Sequence, residues 1–330
     1  MSDFKVEVVE IRKVHPHPNA DRLEIIYIRN MGYQTISAKG NFKEGDLAFY
    51  FPVDSVIPEK FVEEFGIGNY YSKKLRAAKL RGIFSEGLLI PVNENLSVNL
   101  EDDFTEFFGV TKYEYPIPLN MQGDVEKAIP LQDKFPAPVH LKRYPKILVE
   151  GEQVVITEKV HGTNFTVLRT ESETYIGSHN YFWKNSEANK NQVYVRAFNE
   201  NKGLQCLSGN SQVFGEIYGV QDIKYGMKNG EIGIVIFAAK KNGRFLDYSD
   251  FVDFCCELSL PMAPFVYSGE FQFEKLNKYN NADSLLSHDC MMEGLIIQPV
   301  IERTHPGIGR VCMKLISDRY LLRKGGSELH

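Results

Sequence analysis

The chain has 330 residues, 43% of them apolar and 25% charged, with a formal net charge of −5. These values describe an ordinary globular sequence long enough for two domains with separate cores. They exclude a chain-wide cationic field, so any nucleic-acid surface must collect its positive charge locally. No run of about 18 apolar residues is present and the first residues lack an apolar signal segment, so the expectation is a cytoplasmic protein without a membrane partner. The five cysteines (Cys206, Cys255, Cys256, Cys290, Cys312) show no C-x-x-C spacing. They read as reduced thiols, not as a zinc site or a disulfide frame.

In chain order, short β-patterned segments at 5–11, Leu23–Ile28, Gln34–Ala38 and Leu47–Phe51 are separated by Pro-, Asn- and Gly-rich turns. Short strands at this spacing predict a small barrel of the OB type. The turn P-H-P-N-A-D-R-L at 16–23 resembles the opening of tRNA-binding OB modules. Its histidines, His15 and His17, have no third ligand at metal-binding spacing, so they read as turn residues. A short helix is expected at 58–65, and a second over 70–81, where Lys73, Arg76 and Lys79 would share one face. That face suits phosphate tracking, with Tyr70 and Tyr71 as a stacking platform. It equally suits a solvated helix with its tyrosines in a core. Residues 81–91 continue as β structure. The acidic and Pro-rich run that follows suggests a linker at roughly 110–140, with domains at 1–120 and 121–330. The cluster at 140–146, which includes Arg143, is either a charged turn or a segment returning to meet a polyphosphate.

The β-branched run at 154–156 leads into T-E-K-V-H-G-T-N-F at 157–165, read as a loop between two strands. Lys159, at the end of an apolar strand and flanked by Glu158, His161, Gly162 and Asn164, is a candidate covalent nucleophile. A free lysine has a pKa near 10.4, so exposing its amine at pH 7 costs about 4.6 kcal/mol. Burial or a second cation reduces that cost. The stretch would also suit a surface lysine in a hairpin loop.

Downstream, a strand at 174–178 precedes Ser178-His179-Asn180, and a helix is expected at 191–201. The strand Ser211–Tyr218 carries F-G-E-x-Y-G, in which Glu216 is costly to bury unless it is paired or meets a ligand. Residues 232–239 predict a strand buried on both faces, with Phe237 near its end. Helices are expected at 246–258 and, less regularly, at 271–286. Glu293 then stands at the mouth of the E-G-L-I-I strand, and Lys314 rises from the otherwise apolar strand at 310–317.

Taken in order, the motifs K-x-H-G-T-N, F-G-E-x-Y-G, an apolar strand with Phe, E-G-L-I-I and a terminal strand lysine resemble the covalent nucleotidyltransferases. These are the ATP-dependent RNA and DNA ligases and the mRNA-capping enzymes. The histidine after the lysine points to RNA ligases. The layout, covering residues 142–317 behind an OB-like domain, is similar to the Deinococcus and Naegleria type of nick-sealing RNA ligase.

The resemblance implies an α+β chain: an OB-like β-barrel, then an ATP-grasp-like nucleotidyltransferase domain of antiparallel sheets with helices. It implies ATP as substrate, Mg²⁺ or Mn²⁺ as cofactor, and RNA with 5′-phosphate and 3′-OH ends as partner, acted on by a monomer. Lys159 would carry AMP, Lys314 would contact the α-phosphate, and Glu216 and Glu293 would hold the metal. Phe237 would stack on adenine, Glu158 would read its edge chiefly through backbone, Asn164 would order metal waters or sugar, and His161 would serve later steps. Arg143 would meet the nucleotide, and His179 stands where an arginine is common. The last motif often has K-x-K, whereas here the same-face neighbours of Lys314 are Cys312 and Ile316, so either Arg310 or Arg319 compensates or only one phosphate contact is made. A DNA ligase, a capping-type guanylyltransferase and an inactive nucleic-acid-binding module are the competing readings.

Overall fold

The computed structural model describes residues 4–68, 71–93, 96–113 and 123–323. These form two compact units. The first comprises the described residues up to 113 together with 139–146 and 318–323, and the second comprises 123–138 and 147–317.

In the first unit, five antiparallel strands run in the order Gln34–Ala38, Leu23–Ile28, Glu7–Pro16, Leu47–Phe51, Leu88–Pro91. The long strand Glu7–Pro16 serves two partners. Glu7 to Glu10 pair with Leu47–Phe51, Ile11 to Pro16 pair with Leu23–Ile28, and a register shift falls between Ile11 and Lys13. Such a bulge bends a strand and increases its twist, so the sheet curls. The curl brings its edges near each other: Glu86 N–H donates to Gln34 O at 3.0 Å and Ile36 N–H to Ser85 Oγ at 3.0 Å. Alternation then divides the apolar residues. Val9, Ile11, Ile26, Ile28, Ala48 and Tyr50 fill one side, and Val8, Phe49 and Phe51 pack on the other against Phe61 of the helix Glu59–Glu64 and against Phe108.

The expected helix over 70–81 does not form in the described part of that range, and Tyr70 lies outside the described residues. Residues 78–80 are a strand hairpinned with Ile83–Ser85. The cause is tertiary. Lys74 is buried in an ion pair with Asp54 at 2.9 Å, and Leu75 exchanges backbone hydrogen bonds with Asp54 and Ser55. These contacts fix an extended segment that helical propensity alone does not foresee. Lys73, Arg76 and Lys79 are all exposed but share no helical face. Tyr71 donates to and accepts from the Ile57 backbone, so its hydroxyl end is committed to structure.

Much of the compositional linker is also ordered. Thr111–Lys112 pairs with Ser55–Val56, and Val125–Ala128 pairs with Tyr181–Trp183 in the second unit. Residues 139–146 fall in the first unit, which a boundary at 120 does not anticipate.

The second unit is built on two antiparallel sheets. One runs Val125–Ala128, Tyr181–Trp183, Thr174–Gly177, Gly162–Arg169, Ser211–Tyr218, Gly233–Lys241, Arg244–Phe245. The other contains, in sequence, Met313–Ile316, Gly294–Pro299, Gln153–Lys159 and Phe265–Glu270. Phe165, Val167, Val213, Ile217 and Ile236 form the core face of the first, covered by the helices Val193–Glu200 and Tyr248–Glu257. The third expected helix is shorter than its sequence range, Phe273–Asn280. No described helix is long and apolar enough to cross a membrane.

The pairing of Ser211–Tyr218 with Gly233–Lys241 shifts register between Phe214 and Gly215. A Cβ on Gly215 would lie 2.5 Å from the Val235 carbonyl oxygen, so the strands approach this closely only because residue 215 has no side chain. Gly215→Ala is therefore expected to destabilise the second unit by roughly 1–3 kcal/mol, read as a lower urea midpoint with an unchanged slope.

Candidate active site

Lys159 is the last residue of its strand, and Gly162 is the first of the next, which belongs to the other sheet. The K-V-H-G segment is thus the crossing point between two sheets and not a hairpin loop. In Gln153–Lys159 the side chains of Val155, Thr157 and Lys159 alternate to one face and those of Val154, Ile156 and Glu158 to the other. Register then assembles the first face across three strands: Lys159 stands opposite Gly294, which stands opposite Ile316, and Thr157 opposite Ile296, which stands opposite Lys314. Lys314, buried, is therefore on the Lys159 face, two strands away and one row along. Gly294 is required by crowding, since a Cβ there would fall 2.3 Å from Leu315 O.

Glu293 enters just before Gly294. Its Oε1 accepts from Lys159 Nζ at 2.7 Å, with Lys159 9% and Glu293 1% exposed. Its Oε2 lies 3.8 Å from His161 Nδ1. The other sheet contributes Asn164 and Glu216, which are direct cross-strand partners. Burial is the largest influence on Glu216 and pushes its carboxyl up to about 8; Lys159 opposes the shift and Glu293 reinforces it. Lys159, Glu293, Glu216, Asn164, His161 and Lys314 thus belong to one unit, in which two carboxylates and a lysine influence one another away from water.

The same bulge that requires Gly215 also places Phe237. Ile236 pairs with Gly215 and Ala238 with Phe214, so Phe237 is the extra residue and is turned toward the site face. There it is half-buried, edge-on to Phe135 at 4.9 Å and grouped with Val160 and Val235.

Five expected residues sit elsewhere or are otherwise engaged. The Glu158 carboxylate lies on the opposite face of its sheet, where it accepts from Ser284 Oγ at 2.6 Å and Leu285 N–H at 2.8 Å, and its own N–H donates to Pro264 O. It anchors the 284–286 segment, and burial raises its carboxyl above the usual range. Arg143 is in the first unit, buried, with its guanidinium donating to Glu7. His179 is exposed, beside the contact of Lys134 with Asn180 at 3.0 Å. Of the proposed compensators, Arg310 is held by Glu302 and Gln298 and lies 4.3 Å over the Phe245 ring, while Arg319 belongs to the first unit.

Sequence reasoning missed the segment just after F-G-E-x-Y-G. Gln221 Nε2 donates to Gly162 O at 2.8 Å, Asp222 Oδ1 lies 2.5 Å from His161 Nε2, and Tyr225 Oη accepts from His161 N–H at 2.7 Å. The available signal was position: a polar Q-D run directly behind a motif strand whose partner strand begins with the K-x-H-G-T-N loop.

Among the described residues, no group of three or more His, Cys, Asp or Glu side chains is placed to hold a metal alone. Glu216 and Glu293 offer two oxygen donors. That set suits a hard cation whose remaining ligands are water and substrate phosphate, and it does not suit an all-protein cage.

Comparison with known proteins adds three findings. The RNA ligase family model matches residues 152–316, and an OB-fold domain model matches residues 5–92. The curled five-stranded sheet is thus an OB-fold. A search of curated proteins returns no match. Among solved structures, Naegleria gruberi RNA ligase is similar in several forms. A mutant with ATP and Mn is 23% identical, with 96% of this chain and 98% of that one covered and a TM-score of 0.81. The form with PPi is 24% identical, with 97% and 98% covered and a TM-score of 0.82. A mutant with AMP and Mn is 23% identical, with 96% and 97% covered and a TM-score of 0.82. At these identities the likeness is one of fold.

The Glu216 shift has a consequence for stability. Its folded-state carboxyl lies near 8 against an ordinary 4.5, so folding takes up a proton between those values and stability falls as pH rises through that window. Glu216→Gln removes this dependence. Thermal melts from about pH 5 to about pH 9 should show the variant's midpoint a few degrees above the wild type at the alkaline end, with the gap closing toward the acid end.

Proposed function

The chain belongs to the RNA ligase family, and from that premise we propose that it is an ATP-dependent RNA ligase that works through a lysyl-AMP intermediate on Lys159. The observation that carries this reading is the buried Lys159–Glu293 contact, at the crossing of two sheets that also present Glu216, Asn164, Phe237 and Lys314. In the first step Lys159 Nζ attacks the α-phosphorus of ATP; the N–P bond forms, the P–O bond to the β-phosphate breaks, and pyrophosphate leaves. Such a transfer depends on in-line positioning and on neutralising phosphate charge. Lys314 faces the α-phosphate as the fixed cation. Phe237 stacks on adenine, and Asn164 orders the sugar side.

A divalent cation fits the donor set. Burial raises the Glu216 carboxyl well above its ordinary range, with Lys159 opposing the shift, and a cation bound there would favour its ionised form. Glu216 and Glu293 would hold Mg²⁺ or Mn²⁺, whose contribution is neutralisation of phosphate oxygens. In the second step a 5′-phosphate oxygen of the nucleic acid attacks the lysyl-AMP phosphorus and the N–P bond breaks. In the third the 3′-OH attacks that 5′-phosphate, closes the strand and releases AMP. The substrate class is an RNA-containing duplex with a nick whose 3′-OH strand is RNA, sealed by a monomer.

Incubation with radiolabelled ATP or GTP tests the first step. The wild type should form a covalent adduct with ATP alone that survives denaturation and alkali but is cleaved by acid, as a phosphoramidate is, and Lys159→Ala should form none. Labelling by GTP would point to a capping-type transferase, and an adduct in Lys159→Ala would overturn the nucleophile. A panel of nicks with RNA or DNA on each side should give sealing only where the 3′-OH strand is RNA.

The exposed cations Lys73, Arg76 and Lys79 of the OB-fold generate a separate expectation. Changing all three to Ala should weaken nick binding, reduce the slope of log affinity against log salt by about 2–3, and leave self-adenylation intact. Equal loss of both activities would assign the trio a folding role.

A further inference from the structure

After the strand Ser211–Tyr218 the chain turns through Gly219 (φ +86), and residues 221–225 lie against the crossing segment that carries Lys159. Their three contacts converge on two residues. Gln221 holds the Gly162 carbonyl, Tyr225 holds the His161 N–H, and Asp222 meets the His161 ring. Backbone and ring of His161 are thus fixed by the same short segment.

We propose that Asp222 is a positioning residue for the ligation chemistry, acting through His161: its carboxylate fixes the ring orientation and keeps a proton on Nε2, so that Nδ1 is the nitrogen presented to Glu293. The inference rests on the ligase reading of this site. A carboxylate can only accept a hydrogen bond, and Asp222 Oδ1 lies 2.5 Å from Nε2, so Nε2 is the donor. Nδ1 then faces Glu293 Oε2 at 3.8 Å, while Glu293 Oε1 accepts from Lys159 at 2.7 Å. Asp222, His161, Glu293 and Lys159 therefore stand in sequence, with hydrogen bonds at its two ends and the His161 ring placed beside the carboxylate that holds the nucleophile.

His161 is 1% exposed, whereas the Asp222 side chain is 53% exposed. Water solvates the outer end of the line, and its inner members are buried. Removing Asp222 opens no core cavity and strands no buried charge. Its effect should reach the reaction through the imidazole, as outer partners of functional histidines do.

The test combines rates with a direct view of the ring. Asp222→Ala, Asp222→Asn, His161→Ala and the double variant Asp222→Ala/His161→Ala are compared in two assays: lysine adenylation from ATP, and sealing of a pre-adenylylated RNA nick. The Asp222 variants should melt as the wild type does and lose about 10- to 100-fold on whichever step His161→Ala impairs. The double variant should be no slower than His161→Ala alone. In nitrogen-15 histidine spectra the wild type should show a proton on His161 Nε2 with a downfield resonance, lost in Asp222→Ala and in Asp222→Asn. Wild-type rates in both Asp222 variants, losses that multiply in the double variant, or a proton resident on Nδ1 would each overturn the proposal. If the wild type proves inactive in both assays while the Nε2 proton still depends on Asp222, the ligase reading fails and the positioning contact stands.

Discussion

The second unit depends on one contact, the ion pair between Lys159 and Glu293, formed where almost no water reaches. Two charges withdrawn from solvent are costly, and removing one partner of such a pair typically destabilises by about 3–5 kcal/mol because the other is left buried and uncompensated. The sequence around the pair is arranged to meet that cost. Gly294 lets the Glu293 strand lie against Leu315 with no side chain between them, and Gly162 does the same against Ile217, where a Cβ would fall 2.1 Å from the carbonyl oxygen. The pair also sets the behaviour of Glu216. A third ionisable group added to a balanced buried pair meets little net positive charge, so burial dominates and its carboxyl stays protonated near neutrality.

Chain topology explains why this contact can form between residues 134 apart in sequence. The chain leaves one sheet at Lys159 and joins the other at Gly162, so the intervening residues face elements of both. One sheet contributes Glu293 and Lys314 by register, and the other contributes Asn164 and Glu216. The 221–225 segment then pins the crossing itself. Pre-organisation of this kind reduces the reorganisation a reaction must drive, which matters most for transfers that need alignment more than bond-making help from side chains.

How much of this was legible in the sequence varied with the range of the interactions. Strands with strong alternation or continuous apolar runs, such as Leu23–Ile28 and Ser211–Tyr218, appear where periodicity placed them. The helices over 193–200 and 248–257 do as well, because local pattern and burial agree there. The residues expected at the site were named from their motifs, and register places Lys159, Lys314, Asn164 and Glu216, with Glu293 and His161 carried on the chain beside those strands. The failures have tertiary causes. A buried Lys74–Asp54 pair overrides helical propensity at 71–80. The alternation of one strand sends the Glu158 side chain to the face opposite Lys159, which is separate from the role expected of its backbone. Period two was readable for Glu158 once Lys159 was assigned to the cleft. Asp222 and Tyr225 had no such signal, because they lie in an irregular loop and act through contacts more than 60 residues away in sequence.

The terminal strand bears on how the site balances charge. Lys314 is the cation that strand presents, and Cys312, two residues earlier, is buried with its thiol held above the usual range mainly by that burial. Arg310 reaches toward this region through Gln298, but its guanidinium is paired with Glu302 and seated over Phe245. Its charge is therefore largely spent within the protein. Lys159 is likewise matched by Glu293. Against the several negative charges that the triphosphate of the proposed reaction would bring, Lys314 adds one further fixed cation, which is less than such a substrate requires. On the reading proposed above, Glu216 and Glu293 would answer that deficit by holding a divalent cation that arrives with the phosphates. On that reading Glu216 and Glu293 would be kept for the cation they admit, and the shortage of lysines on the last strand would shift weight from protein cations onto that ion.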